Sequence, residues 1–285
     1  MDDLMKLPKR ILGLIGSSRR LGNCEVFVKE ISRRVPVEST LSLIRLPALD
    51  ISPCRACYAC IMGEPCPKSD DMGFLRDQIL QSDAVLLAAP VYFLGAHSIV
   101  KRILDRGFLF YADAEQNEHK PCILVNLYGI EENMGVAPQT LRALAGALCL
   151  DVKASINLKA ALPGEVLADQ RNVRLAIKLG ELIFADKAHR TRGGCPFCGC
   201  EIVRMHGRRL ICTLCHGSFT LDANARPVKL KTGSETGTVN FVREHTAWLK
   251  RMRDTYMTNR KELLRLTLPY QDVGTWIEPP KTEDR

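Results

Sequence analysis

The segment 83–90, DAVLLAAP, is apolar at almost every position after its first, and this constrains the fold more than any other feature of the chain. A strand that alternates apolar and polar residues can leave one face in water, whereas one that is apolar throughout must be covered on both faces. It is one of five strand-like runs in the first 160 residues, the others being 11–16, 40–46, 122–127 and 152–156. Helical patterns separate them at 23–35, with Asn23 read as an N-cap, at 72–81, at 96–106 and at 139–148. Strands alternating with helices predict a parallel, doubly wound α/β sheet of five strands. Such sheets bind ligands at the carboxyl ends of their strands, where the winding reverses. With 46% hydrophobic and 25% charged residues, disorder is not the expected state. The longest uncharged run, 84–100, is interrupted by Pro90, Gly95 and His97, so no membrane span is expected. The opening MDDLMKLPKR has no apolar secretory core, which predicts a cytoplasmic protein.

The turn after the first strand reads Gly16-Ser17-Ser18-Arg19-Arg20-Leu21-Gly22-Asn23 and leads into a helix. A helix N-terminus after a turn of small residues offers converging N–H donors and positive potential to a phosphate. Ser17, Ser18 and Asn23 can add side-chain donors, and Arg19 a charge-assisted contact. Neither the G-x-G-x-x-G spelling of dinucleotide sites nor the G-x-x-x-x-G-K-[ST] loop is present, which favours a mononucleotide phosphate. The third strand ends in Pro90-Val91-Tyr92-Phe93-Leu94-Gly95, a turn whose aromatic faces and backbone amides suit a flat ring system.

These two loops, with Asp71-Met72 and the run Ile103-Leu104-Asp105-Arg106, resemble the NAD(P)H-dependent FMN reductase superfamily, and within it the iron–sulfur flavoproteins. The resemblance covers about residues 10–185. It implies a flavodoxin-like fold, a homo-oligomer (dimer or tetramer), and FMN held by Ser17, Ser18, Arg19, Gly22, Asn23, Cys24 and residues Pro90, Val91, Tyr92, Phe93, Leu94 and Gly95. It further implies flavin contacts from Asn126, Tyr128 and Gly129, although their loop, after the fourth strand, is less glycine-rich than the family's usual one. Ser18 stands where the family commonly has proline, and Cys24 where it commonly has threonine.

Twelve cysteines in a chain without an export signal point to metal ligation in a reducing compartment. Cys54, Cys57, Cys60 and Cys66 lie within 13 residues, the last followed by Pro67. The C-x2-C-x2-C run has ferredoxin-type spacing for a [4Fe–4S] cluster, and the longer spacer lets Cys66 return to the same cluster. Zinc and redox-active thiols are the alternatives. Cys195, Cys198, Cys212 and Cys215 form two C-x2-C knuckles with 13 residues between them, the spacing of a ribbon that holds one zinc or a rubredoxin-type iron. Cys200 is a spare thiol.

The domains expected are 1–190 for the flavin and cluster, 191–222 for the four-cysteine ribbon, and 223–285 for a linker, an amphipathic helix and a C-terminal arm. A helix is expected over 166–187. Phe241, Trp248, Leu249, Met252, Tyr256, Leu263 and Leu266 form one apolar stripe at helical spacing. Net charge is +1 through Ala185 (22 basic, 21 acidic) and +7 beyond it (18 basic, 11 acidic), which suits an acidic partner or, as the plainer reading, a solvated basic surface. The function expected is an electron-transferring oxidoreductase that works with a ferredoxin-like carrier, with no catalytic residue beyond the cofactors. An NAD(P)H-dependent flavin, quinone or nitroaromatic reductase is the alternative. A redox-sensing regulator that binds nucleic acid is a second, although nucleic acid is not the expected partner.

Overall fold

The computed structural model describes residues 7–186, 194–234, 237–271 and 273. Its centre is a parallel sheet of β1 (Lys9–Ile15), β2 (Ser39–Arg45), β3 (Ala84–Tyr92), β5 (Pro121–Tyr128) and β6 (Asp151–Lys159), in the order β2-β1-β3-β5-β6. The short strand β4 (Gly95–Ala96) folds back antiparallel on the end of β3. The central strand is covered on both faces, as its composition requires. Val85, Leu87 and Ala89 belong to one core with Met72, Leu75, Val100 and Leu141, while Ala84, Leu86 and Ala88 belong to the other with Phe27, Val28, Ile31 and Leu179. Two faces of one strand thus nucleate two layers of helices.

One layer holds α1 (Asn23–Arg33) with α6 (Glu165–Ala168) and α7 (Gln170–Leu182). The other face carries α2 (Met72–Gln81), α3 (Ser98–Asp105), a 3-10 turn over Gly107–Asp113, the short α4 (Ala114–Asn117) and α5 (Ala137–Ala147). The single helix expected over 166–187 is two helices, because Asp169 adopts extended backbone and its carboxylate accepts the Arg171 N–H as a new N-cap. Lys187 and the Arg192-Gly193 boundary lie outside the described residues.

The second half adds an antiparallel sheet of β7 (Val203–His206), β8 (Arg209–Cys212), β9 (Ser218–Leu221) and β10 (Pro227–Lys231), in the order β10-β9-β8-β7. This ribbon runs past Asp222, since β10 pairs with β9, and Ser234 N–H donates to the Cys215 carbonyl at 2.7 Å. Next comes α8 (Val239–Thr267), whose first turn places Val239 and Val242 in a small core with Ala114 and Cys149. Contacts divide the chain after Arg243 into two units. In the second, Trp248, Met252, Tyr256, Leu263 and Leu266 of the expected stripe are exposed, whereas Leu249 is buried. Among the described residues no helix is long and apolar enough to cross a membrane.

Gly180 marks how closely α7 approaches the end of α1. A methyl group there would lie 2.6 Å from the Arg34 carbonyl carbon, so backbone rather than a flexible side chain would have to yield. Gly180→Ala is expected to destabilise the protein by about 1–3 kcal/mol despite alanine's higher helix propensity, read as a lower denaturant midpoint at unchanged m-value.

Candidate cofactor sites

Helix α1 begins at Asn23, directly after the loop that leaves β1. Its N-cap is Gly22, which has no side chain to cap the first turn. Asn23 is therefore the first helical residue and not the expected cap. Its amide nitrogen donates to the carbonyls of Ala160 (3.1 Å) and Leu162 (2.9 Å), and its Oδ1 accepts the Val166 N–H. Both amide hydrogens are thus engaged in joining the loop after β1 to the loop after β6. What Asn23 offers a phosphate is its backbone N–H. The N–H groups of the first helical turn have no intrahelical partner and carry the positive end of the dipole, which makes an anion site.

The loop keeps its shape through Arg45, a residue that motif reading passed over. It stands at the end of β2, and its guanidinium donates to the Ser17 and Arg19 carbonyls (both 2.9 Å) and to the Glu25 carboxylate (2.6 Å). Glu25 also pairs with Lys29 and accepts the Leu21 N–H. Burial by itself would raise the Glu25 carboxyl, but the bonds from Lys29, Arg45 and Leu21 outweigh it and bring the pKa down to about 2. Ser17 is buried and its hydroxyl accepts the Arg19 N–H, while Ser18 and the Arg19 side chain are exposed.

One cleft gathers Ser17, Arg19, Gly22, Asn23 and Cys24 against Pro90, Val91, Tyr92 and Gly129, with Leu127, Ala160 and Ala161 completing its wall. An adjoining hollow shares Val91, Tyr92 and Gly129 and adds Phe93, Leu94, Tyr128, Ile130 and Asn133. Ser18 and Gly95 line neither. Cys24 is no nucleophile, because burial pushes its thiol up to about 12. Phe93 and Leu94 form the two-residue turn between β3 and β4, both with positive φ (47° and 65°), a conformation that costs side-chain-bearing residues energy. The turn is held from outside by the Val136 N–H, which donates to the Leu94 carbonyl at 2.7 Å. Gly135 makes that approach possible, since a Cβ there would lie 2.1 Å from the same oxygen. Phe93 is left fully exposed. His97 has a structural place: its Nδ1 accepts the Ile99 N–H as the cap of α3, and its ring lies against Tyr92.

Asn126 does not line the cleft. It is fully buried one residue before Leu127, which does, and neither of its amide atoms has a protein hydrogen-bond partner. Its register neighbour Asn157 also has an unpartnered Oδ1. Orphaned buried amides beside a cleft with an uncapped helix N-terminus fit a ligand that is polar at several points and anionic at one end. FMN is such a ligand.

Cys54, Cys57, Cys60 and Cys66 line one cup with Tyr58, Arg106 and Phe108. Asp70 and Asp71 close the ends of this loop: Asp71 accepts the Asp50 N–H (2.7 Å) and Asp70 accepts the Ser52 N–H (3.0 Å). Ala56 and Tyr58, both at positive φ, turn the chain between the first three cysteines. Burial raises the Cys60 thiol, and the proximity of Cys66 and Cys54 adds to the shift. The cup shares no lining residue with the cleft or its adjoining hollow. Among the described residues these four are not among the thiols set close enough to share one ion. In a cubane each cysteine binds a different iron, so wider spacing is what a [4Fe–4S] cluster needs.

The ribbon cysteines present the opposite geometry. The sulfurs of Cys195, Cys198, Cys212 and Cys215 all lie within 4.8 Å of one another, with the 195–215 and 198–212 pairs at 3.6 Å. A tetrahedral ion with bonds of about 2.3 Å to sulfur sets its ligands about 3.8 Å apart. Hydrogen bonds from the Cys198 and Cys200 thiols, with the Cys215 and Leu214 N–H groups, hold Cys212 far below the ordinary thiol range. The ribbon packs on the parallel-sheet domain through Arg142, which donates to the Cys198 carbonyl (3.3 Å), and Gln139, which donates to the Thr213 carbonyl (3.4 Å).

A parallel sheet with this strand order, a loop opening into a helix N-terminus after β1 and a hollow after β3 defines the flavodoxin-like class. Residues 9–157 match the NADPH-dependent FMN reductase family, and the chain belongs to that family. It is 30% identical over 98 residues to an iron–sulfur flavoprotein of Methanocaldococcus jannaschii, covering 34% of this chain and 51% of that one. It is also 30% identical over 103 residues to an iron–sulfur flavoprotein of Methanosarcina thermophila, covering 35% and 53%. The chain thus spans about half the length of the curated relatives it matches. A solved flavone reductase shares the fold with a TM-score of 0.73 at 17% identity, over 95% of this chain and 99% of its own.

Glu25 supplies a pH test of the loop. A carboxyl depressed from its unfolded value of about 4.3 contributes stability that is fully present above that value and is lost as pH falls toward about 2. Glu25→Gln should cost about 1–3 kcal/mol at pH 7, with the deficit shrinking as pH drops below about 4, read by urea unfolding across that range.

Proposed function

We propose that this chain is an oxidoreductase that holds FMN in the cleft and a [4Fe–4S] cluster in the cup, and passes electrons between a ferredoxin-like one-electron carrier and an acceptor. The observation that carries the reading is the four-thiol cup at Cys54, Cys57, Cys60 and Cys66 on a fold whose cleft fits FMN. Zinc in the ribbon is the corresponding proposal for Cys195, Cys198, Cys212 and Cys215. The 3.6 Å sulfur pairs support a single ion, and the spacing of the knuckles favours zinc over rubredoxin-type iron. The exposed apolar residues of α8, among them Tyr256 and Leu263, support a homo-oligomer.

The chain's own contribution is placement. The first-turn N–H groups of α1 and the Arg19 guanidinium would hold the phosphate, Arg45 keeps their loop in shape, and the Tyr92–Phe93 hairpin would take the ring. FMN exchanges electrons singly or in pairs and the cluster one at a time, so together they couple one- and two-electron donors. Cys24 stays protonated and His97 is engaged as a cap, so neither is placed as an acid–base group.

Anaerobic purification with flavin, iron, sulfide and zinc analysis tests the assignment. The expected result is one FMN, about four irons with labile sulfide, and one zinc per chain. Stoichiometric FAD, or no flavin after reconstitution, would reject the cleft assignment. Arg19→Ala should weaken FMN by about 1–3 kcal/mol, read by fluorescence titration. Cys57→Ala should remove the cluster absorbance and leave the zinc, and Cys198→Ala should do the reverse. Rapid reduction by NADPH without a carrier would favour the direct flavin or quinone reductase instead.

A further inference from the structure

Arg106 follows α3 and is 4% exposed. One guanidinium nitrogen donates to Asp70 (2.6 Å) and to the Ser52 carbonyl (3.0 Å), and the other lies 3.3 Å from the Cys66 sulfur. The Arg106 and Asp70 side chains are 3% and 1% exposed. Arg55 and Lys68 also line the cup, but Arg55 is exposed and Lys68 half-buried, so Arg106 is the buried cation among them. A charge withdrawn from water acts on its neighbours with far less screening than a solvated one. Holding the loop ends together does not require the bond to sulfur, because the Asp50–Asp71 and Ser52–Asp70 bonds already do so.

We propose that Arg106 is a positioning residue that sets the reduction potential of the cluster in the cup, through its charge-assisted hydrogen bond to the Cys66 sulfur. The inference rests on the assignment of a [4Fe–4S] cluster to Cys54, Cys57, Cys60 and Cys66. Reduction adds one electron and lowers the charge of the cluster by one; no bond forms or breaks. A guanidinium on a ligand sulfur stabilises the more negative state and raises the potential, and hydrogen bonds to sulfur are among the factors that set such potentials. Asp70 works in the opposite sense, because its carboxylate partly cancels the guanidinium's field. The ion pair is thus a dipole with its positive end on Cys66.

The two partners therefore give tests of opposite sign. An EPR-monitored redox titration of the holoprotein reads the cluster midpoint in wild type, Arg106→Gln and Asp70→Asn. Arg106→Gln should move the one-electron equilibrium about tenfold toward the oxidised cluster, a midpoint about 59 mV lower. Asp70→Asn should move it upward. A purely structural role would change cluster content or stability and leave the midpoint in place. Equal midpoints in a loaded wild type and both loaded variants would overturn the inference alone. Wild-type protein without iron and sulfide would overturn the cluster assignment, and this inference with it. Should Arg106→Gln lose the cluster, Asp70→Asn decides, and an unshifted midpoint there overturns the proposal.

Discussion

The Arg45 guanidinium ties together parts of the chain that are distant in sequence. It leaves the end of β2, reaches the carbonyls of Ser17 and Arg19, and pairs with Glu25 on α1. A loop that presents N–H groups to an anion points its carbonyls elsewhere, and those carbonyls need donors. Arg45 supplies them. Glu25 in turn keeps the cation in place at a helix start where its own negative charge is favoured. The cleft depends on this knot, because Ser17, Arg19 and Gly22 of its lining lie on the loop that the knot shapes.

The ring end of the cleft uses a different device. Phe93 and Leu94 both sit at positive φ, and neither is a residue that favours that conformation. The hairpin persists because β3 and β4 fix its ends and the Gly135-Val136 segment grips its outer carbonyl. Strain of this kind survives only where surrounding structure over-determines it, and it leaves the aromatic ring of Phe93 projecting into solvent.

The two cysteine groups differ in how the fold arranges them. In the ribbon, antiparallel strands bring two knuckles face to face and crowd four sulfurs around one point. In the cup, left-handed residues turn a single irregular loop, and a buried ion pair supplies Arg106 to its lining. The first arrangement suits an ion that needs only to be held. The second puts a buried charged donor against the Cys66 sulfur.

The amino-acid sequence by itself determined the layers. A strand apolar at nearly every position has to be covered on both faces, and β3 divides its side chains between two cores as that rule demands. It also determined which cysteines group together, because ligand spacing is a local property. Only the tertiary structure decided the role of Asn23, which the sequence marks as a cap and the fold uses to join two loops. It likewise decided the extension of the ribbon to β10, the orphaned amide of Asn126, and the parts played by Arg45 and Arg106. Propensity and spacing act over a few residues. A long cationic side chain finds its partners across the sheet, Arg45 from 20 to 28 residues away and Arg106 from 36 to 54, and no local pattern records where it lands.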